Sequence, residues 1–188
     1  VVLAGQYGLY RYWNQAQRES FCDWFLLPSI ALQAARPAQD ERSAARRVML
    51  IAALSTITWF GKPSFVFFTA MQLAVLLVDR ELVLSWRARL ARFVAGGALG
   101  AVIPVLYLLR YGDIVAYLRI TLGDVPRIYR FIWARSAPEI LGDEGPLVSA
   151  TTGLAVAAVL VALVVMRSLP RRALVVALAP VAGVGVAV

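Results

Sequence analysis

Long apolar stretches alternate with short polar segments along most of this chain of 188 residues. A helix needs about 20 apolar residues to cross the hydrocarbon core of a bilayer. The pattern therefore predicts an all-α fold: a polytopic bundle of transmembrane helices, some of them short or broken, forming a single transmembrane domain over residues 1–188. The predicted spans are 21–35, 48–60, 64–78, 93–109, 147–166 and 173–188.

The longest apolar stretch, residues 48–78, is interrupted once, by the Gly-Lys-Pro sequence at 61–63. Proline has no amide hydrogen, and it disfavours helix at the residue before it. Two helical limbs are therefore predicted to meet at this break. The alternative is one kinked helix that runs through the whole stretch.

The arginines help to decide between these alternatives. The short loops 36–47, 79–92 and 167–172 carry four, four and three arginines. Short arginine-rich loops stay on the cytoplasmic side of a membrane. A two-limbed hairpin would put all three loops on that side, whereas one kinked span would divide them. The charge pattern thus favours the hairpin in a multi-pass protein of the bacterial inner membrane. It places the break, residues 1–20 and an interfacial region at about 110–146 on the periplasmic side.

The composition of the chain limits the partners and the kinds of site that can be expected. The chain is 61% hydrophobic and has a formal net charge of +8. Its positive charges flank apolar stretches, which indicates membrane lipids as partners, and we find no nucleic-acid-binding motif. The chain has no histidine, which excludes histidine triads and most zinc sites, and Cys22 is its single cysteine. It starts at Val1 and ends within an apolar run, so we expect an internal fragment of a longer protein.

Lys62 is the first candidate site residue, and it is the only lysine among 19 basic residues. A charge inside a long apolar stretch costs at least a few kcal/mol and marks function by default. A helix break at membrane depth also frees backbone groups, which must then face protein or a water-filled cavity. An ammonium group there suits a phosphate at the membrane surface. The alternative is a turn lysine whose flexible side chain reaches water.

Two further groups of residues are candidates. Gln17, Arg18 and Glu19 precede the first apolar stretch and could line a headgroup or sugar pocket, or simply start a solvated interfacial helix. Arg127 and Arg130 are three residues apart among aromatic residues, so they share one face of a predicted amphipathic helix at the membrane surface. That face could hold a lipid phosphate, or only anchor the helix.

Residues 46–81, RRVMLIAALSTITWFGKPSFVFFTAMQLAVLLVDRE, resemble a recurring segment of the GT-C superfamily of membrane glycosyltransferases. These are the polyprenyl-phosphate-sugar-dependent enzymes of the protein mannosyltransferase and lipid A aminoarabinose transferase type. In them a basic loop leads into a short helix, a Lys-Pro or Lys-Gly-Pro break, and an apolar helix that ends in a basic loop. The flanking segments WNQAQRESFCDWFLLPSIAL and GDIVAYLRITLGDVPRIYRFIW are also similar to the family, so the resemblance covers about residues 10–135.

The resemblance implies sugar transfer from a polyprenyl-phosphate donor at the periplasmic face. Lys62 would bind the phosphate of that donor, and the catalytic acid would lie upstream of this chain. No cofactor is expected in this region, although a divalent metal would be compatible with the full-length protein. Here glycine precedes the lysine, whereas it follows the lysine in the Lys-Gly-Pro subgroup. The resemblance therefore does not assign this chain to a subgroup or identify its acceptor. The competing functions are a transporter or permease fragment, whose broken helix lines a substrate path, and a non-catalytic membrane scaffold.

Overall fold

A computed structural model describes residues 18–125, 127–128, 144–166 and 168–179. Helices and their short connections account for these residues, and no β-strand occurs among them, which confirms the all-α class. The α-helices are α1 Arg18–Ala34, α2 Glu41–Gly61, α3 Val66–Val78, α4 Trp86–Tyr111, α5 Ile114–Arg119 and α6 Glu144–Val165. The shorter pieces are 3₁₀ turns at Pro63–Phe65 and Arg171–Ala173, a π-helical turn at Ile120–Asp124, and helical residues 174–179.

Two helices begin earlier than their apolar stretches predict, inside segments that the sequence pattern assigned to loops. Before α2, the Asp40 side chain accepts a hydrogen bond from the Ser43 amide at 2.8 Å. Before α4, the Ser85 hydroxyl accepts one from the Ala88 amide at 3.3 Å. Each cap satisfies an amide that has no partner within the helix. Arginine is also a good helix former, so the helix can begin within the polar segment.

The break at 61–63 separates two helices that fold back on each other. α2 ends at Gly61, Lys62 is extended with φ −151° and ψ 111°, and a 3₁₀ turn at Pro63–Phe65 leads into α3. The hydroxyls of Ser55 and Thr69, one on each limb, lie 2.5 Å apart. In one continuous helix these residues would be about 21 Å apart. The hairpin is therefore the observed arrangement, and the single kinked helix is wrong.

α4 packs closely along the first limb of the hairpin. A Cβ atom added at Gly96 would lie 2.2 Å from the Met49 carbonyl oxygen, and one at Gly100 would lie 2.3 Å from the Ala53 carbonyl oxygen. Real side chains do not approach backbone so closely. Gly96 and Gly100 form a G-x-x-x-G pair, and this spacing of small residues lets the two helices meet backbone to backbone.

α1 covers both limbs of the hairpin through two apolar clusters. The cluster around the break consists of Cys22, Leu26, Phe65 and Phe68. The cluster at the opposite end includes residues from α2, α3, α4 and the loop before α4, namely Ala44, Val48, Ile51, Ala52, Leu76, Leu82, Leu84 and Phe93. The core therefore lies between the hairpin and its two neighbouring helices.

Among the described residues, one helix is long and apolar enough to cross a membrane, Trp86–Tyr111. Three other apolar helices, Phe21–Ala34, Pro63–Val78 and Gly153–Val165, are shorter. α2 is a helix of 21 residues, but its first two turns carry charged side chains. By length and composition, the several spans expected from the sequence thus reduce to one clear candidate among the described residues, and the predicted span 173–188 lies outside them beyond residue 179.

Candidate functional site

The hairpin has two ends that differ in chemistry. We call the end formed by residues 58–66 the break end. We call the end formed by the loops 35–40, 79–85 and 168–173 the arginine end. The candidate residue Lys62 lies at the break end.

The backbone of Lys62 is fixed on both sides. Its amide donates to the Thr58 carbonyl at 3.0 Å, and its own carbonyl accepts the Phe65 amide at 3.0 Å. The residue as a whole is half-buried and has interaction partners beyond these two bonds. Lys62 is also the last residue before a new helical start, whose free amides carry partial positive charge. The break therefore brings together the Lys62 charge, the positive end of the second limb and the last carbonyls of α2, which carry partial negative charge.

Two other elements reach the break end. From α1, the Cys22 thiol donates to the Thr58 carbonyl at 3.7 Å, and a Cβ atom at Gly61 would lie 2.7 Å from its sulfur. From α5, the Tyr117 hydroxyl donates to the Phe60 carbonyl at 3.3 Å, and the two rings stack with centroids 6.2 Å apart. The start of α1, the break and the 110–125 region therefore lie together, as the predicted hairpin requires.

The hydroxyl of Tyr117 stays protonated at neutral pH and so remains a donor. Partial burial raises its pKa above the ordinary value, and a hydrogen bond with Thr121 opposes that shift in part. Asp23, the residue after Cys22 in α1, is half-buried and has interaction partners of its own.

Three of the other predicted site residues lie within the described part of the chain. Arg127 is exposed and follows the π-helical turn. Arg18 and Glu19 form the first turn of α1. Gln17 and Arg130 lie outside the described residues.

The predicted amphipathic helix, residues 114–135, is helical over 114–125 and 127–128, and the rest of this range lies outside the described residues. Its large apolar side chains are widely exposed: Val115, Leu118, Ile120 and Leu122. The exposed Arg119 lies on the same segment and is 3.9 Å from the Asp124 carboxylate. An exposed apolar surface with a charged neighbour is typical of an interfacial helix.

The arginine end is organised by Arg89, which is 7% exposed. Its guanidinium donates to carbonyl oxygens at the C-terminus of α3 and in the following loop: Leu76 at 2.9 Å, Leu77 at 3.3 Å, Asp79 at 2.5 Å, Leu82 at 2.9 Å and Leu84 at 2.7 Å. The last carbonyls of a helix lack partners within it and carry partial negative charge. Arg89 donates hydrogen bonds to these carbonyls and holds the loop in place. The number of arginines in each loop did not predict this role.

All three arginine-rich loops meet at this end. Arg47 donates to the carbonyl oxygens of Ala35 and Arg36. Arg171 donates to the Val78 carbonyl at 3.2 Å, and Arg172 forms an ion pair with Glu81. The loops therefore lie at one end of the hairpin, opposite Lys62. This is the grouping that the charge pattern predicted for a two-limbed hairpin.

A buried polar seam runs between α1 and the two limbs. The Ser29 hydroxyl donates to the Ile51 carbonyl at 3.0 Å and accepts from the Gln72 amide group at 2.7 Å. The Gln33 amide group donates to the Gln72 backbone carbonyl at 2.8 Å. Such bonds between neighbouring helices hold apolar bundles together. The polar residues inside the apolar stretches 21–35 and 64–78 were the signal for this seam.

No group of three or more histidine, cysteine, aspartate or glutamate side chains that could hold a metal ion occurs within residues 18–125, 127–128, 144–166 and 168–179. Comparisons of the chain with protein family models, curated proteins and solved structures found no match.

Proposed function

We propose that this chain is the membrane-embedded part of a glycosyltransferase that uses a polyprenyl-phosphate-linked sugar as donor. In this proposal Lys62 contacts the phosphate of the donor at the periplasmic face. The observation that carries the proposal is the position of Lys62 in the break of a helical hairpin, at the end opposite the three arginine-rich loops.

Support for a membrane location comes first from the surface of α4. Only 17% of its most apolar stretch is buried, whereas the apolar core helix of a water-soluble protein is mostly buried. The exposed large side chains include Val94, Leu99, Val102, Ile103, Leu106 and Leu109. A continuous exposed apolar surface of this size indicates contact with lipid or with another apolar partner.

The two ends of α4 also suit a bilayer. Trp86 is exposed at the first turn beside Arg87, and Tyr107 and Tyr111 are exposed at the last turns beside Arg110. Tryptophan and tyrosine concentrate at both membrane–water interfaces. The helical rise from Arg92 to Arg110, between which no charged residue lies, is about 27 Å, close to the hydrocarbon thickness of about 30 Å.

In the proposed multi-pass arrangement the hairpin enters and leaves the inner membrane on the same side. The arginine end faces the cytoplasm, as the positive-inside rule requires. The limb Pro63–Val78 is too short to cross upright and unaided. α1 and the first limb flank it, so the backbone polar groups at its ends face protein rather than lipid.

The chemistry of the break suits a phosphate. Lysine presents a compact charge with three donors, and the start of the following helix adds the positive end of its dipole. Pro63 occupies the first position after Lys62 and removes one amide that would otherwise need a partner. In this proposal Arg127 and Arg130 would provide a second phosphate contact, and Gln17, Arg18 and Glu19 would contact the headgroup or sugar of the donor.

The test is sugar transfer in membranes that contain the intact protein, measured with Lys62→Ala and Lys62→Arg. We expect Lys62→Ala to abolish transfer from the lipid-linked donor without loss of membrane insertion. Lys62→Arg should keep part of the activity, because the charge persists while its shape changes. Arg110→Ala, an exposed cation on α4, is the matched control and should transfer normally. Transfer at the wild-type rate by Lys62→Ala would refute the proposed role of Lys62.

A further inference from the structure

The arginine end carries an open groove of about 450 Å³ that the proposed reaction does not use. Its walls come from the end of α3, the start of α4 and the turn before residues 174–179. Arg80 and Arg171 contribute exposed guanidinium groups from two loops that are far apart in sequence. The groove thus collects positive charge from separate parts of the chain.

We infer that this groove binds the headgroup of an anionic phospholipid, with the phosphate between Arg80 and Arg171. The inference rests on the membrane location proposed above, but not on glycosyl transfer. Arginine is well suited to phosphate, because its planar guanidinium can donate two parallel hydrogen bonds. Basic sites between membrane helices on the cytoplasmic side bind acidic lipid headgroups.

The charges facing the groove favour an anion. Arg89 adds positive charge, but it is buried and most of its N–H groups already donate to carbonyl oxygens. Asp79 is the acidic residue of the lining; it is 3% exposed, and its carboxylate accepts the Glu81 amide at 3.0 Å. Arg171 uses one of its five N–H groups at the Val78 carbonyl and can donate others.

The apolar part of the lining favours a lipid over a free phosphate ion. Leu77 and Val78 are 37% and 48% exposed at the end of α3, and Trp86 is 58% exposed at the start of α4. All three line the groove together with the arginines. A phospholipid whose headgroup lies between the arginines would place an acyl chain along this apolar wall. The Trp86 ring suits the boundary between headgroup and chain.

The experiment uses the tryptophan as a local probe. The chain is reconstituted in phosphatidylcholine vesicles that contain an equal small fraction of either brominated phosphatidylglycerol or brominated phosphatidylcholine. Subtraction of the Trp86→Phe signal isolates the fluorescence of Trp86. We expect brominated phosphatidylglycerol to quench Trp86 more strongly. Each of Arg80→Gln and Arg171→Gln should lower that preference by about fivefold, the effect of about 1 kcal/mol per arginine.

The controls separate this site from general surface charge and from the membrane proposal. Arg42→Gln removes an exposed arginine at the same end that does not line the groove, and it should leave the preference unchanged. Arg80→Gln avoids the loss of the Val78 contact that accompanies Arg171→Gln. Equal quenching by the two lipids would overturn the groove proposal alone. No quenching by either lipid would overturn the membrane location. Loss of the preference on addition of inorganic phosphate would identify a free phosphate site instead.

Discussion

The two ends of the helical hairpin use positive charge in opposite ways. At the arginine end, Arg89 is buried and its N–H groups are directed at backbone carbonyls, so its charge stabilises the loop that joins α3 to α4. At the break end, Lys62 is half-buried in an extended backbone position, and its backbone bonds are made to Thr58 and Phe65. Arg89 therefore stabilises the fold, whereas the position of Lys62 is set by the fold. We therefore expect substitutions at the two ends to separate stability from function.

The first test of this comparison is the side of the membrane on which each end lies. Single cysteines at Ser43, Ser85 and Ser64, each in a Cys22→Ser background, would be exposed to a membrane-impermeant thiol reagent in intact cells. We expect Ser64→Cys to be labelled, and Ser43→Cys and Ser85→Cys to be protected, because the last two lie at the arginine end. Permeabilised cells serve as the control, since all three should then react. Labelling of Ser43→Cys but not Ser85→Cys in intact cells would refute a common cytoplasmic side.

Arg89→Ala should give the largest loss of stability. It leaves several buried carbonyls without partners, and each costs about 1–3 kcal/mol. We expect a loss of at least about 3 kcal/mol in the free energy of unfolding, measured by denaturation in detergent micelles. Arg89→Lys should recover little of the lost stability, because an ammonium group cannot reach the same set of carbonyl oxygens.

Arg87→Ala is the matched control for that experiment. Arg87 is exposed two residues earlier in the same helix, and its guanidinium carbon lies 5.3 Å from the centroid of the Trp86 ring. Its removal should change stability by less than about 1 kcal/mol. Similar losses for Arg87→Ala and Arg89→Ala would show that the carbonyl contacts of Arg89 contribute little.

Gly100→Ala should have the next largest effect, because its methyl group would meet the Ala53 carbonyl oxygen at 2.3 Å. The backbones of α2 and α4 would have to separate, which typically costs about 1–3 kcal/mol. Gly97→Ala is the control on the same helix. Its nearest neighbour is the Thr56 hydroxyl at 3.1 Å, a side-chain atom that can move by rotation. Equal unfolding midpoints for the two variants would contradict backbone contact at Gly100.

The smallest effect concerns the cap of α2 at the arginine end. The Ser43 amide, which donates to the carboxylate, lowers the pKa of Asp40 below its ordinary value. A carboxyl group with a depressed pKa contributes stability above its unfolded pKa and loses that contribution as pH falls through the folded value. We therefore expect a slight loss of helix content by circular dichroism when the pH falls below about 4. Asp40→Asn keeps the cap without a titrating group, so the difference between the two proteins should vanish in acid.

Some features of the break could be predicted from residues 61–63 alone. A proline that follows lysine ends a helix for local steric reasons, and the break was therefore visible in the sequence. The fold-back of the limbs was only favoured, through the distribution of arginines among loops. The Ser55–Thr69 contact decided it, because a helix end fixes where the chain turns but not the direction in which it continues.

The helical class, the break at Lys62 and the capacity of Gly96 and Gly100 for close packing all follow from the order of residues along the chain. These depend on backbone sterics and on the spacing of apolar residues, which are local properties. Two other features depend on how the helices pack: Met49 and Ala53 face the glycines, and Arg89 rather than its neighbours caps α3. Several loop arginines have the same intrinsic chemistry. Only the approach of α4 to the end of α3 brings one guanidinium within reach of the unpaired carbonyls, and that approach depends on packing between residues far apart in the chain.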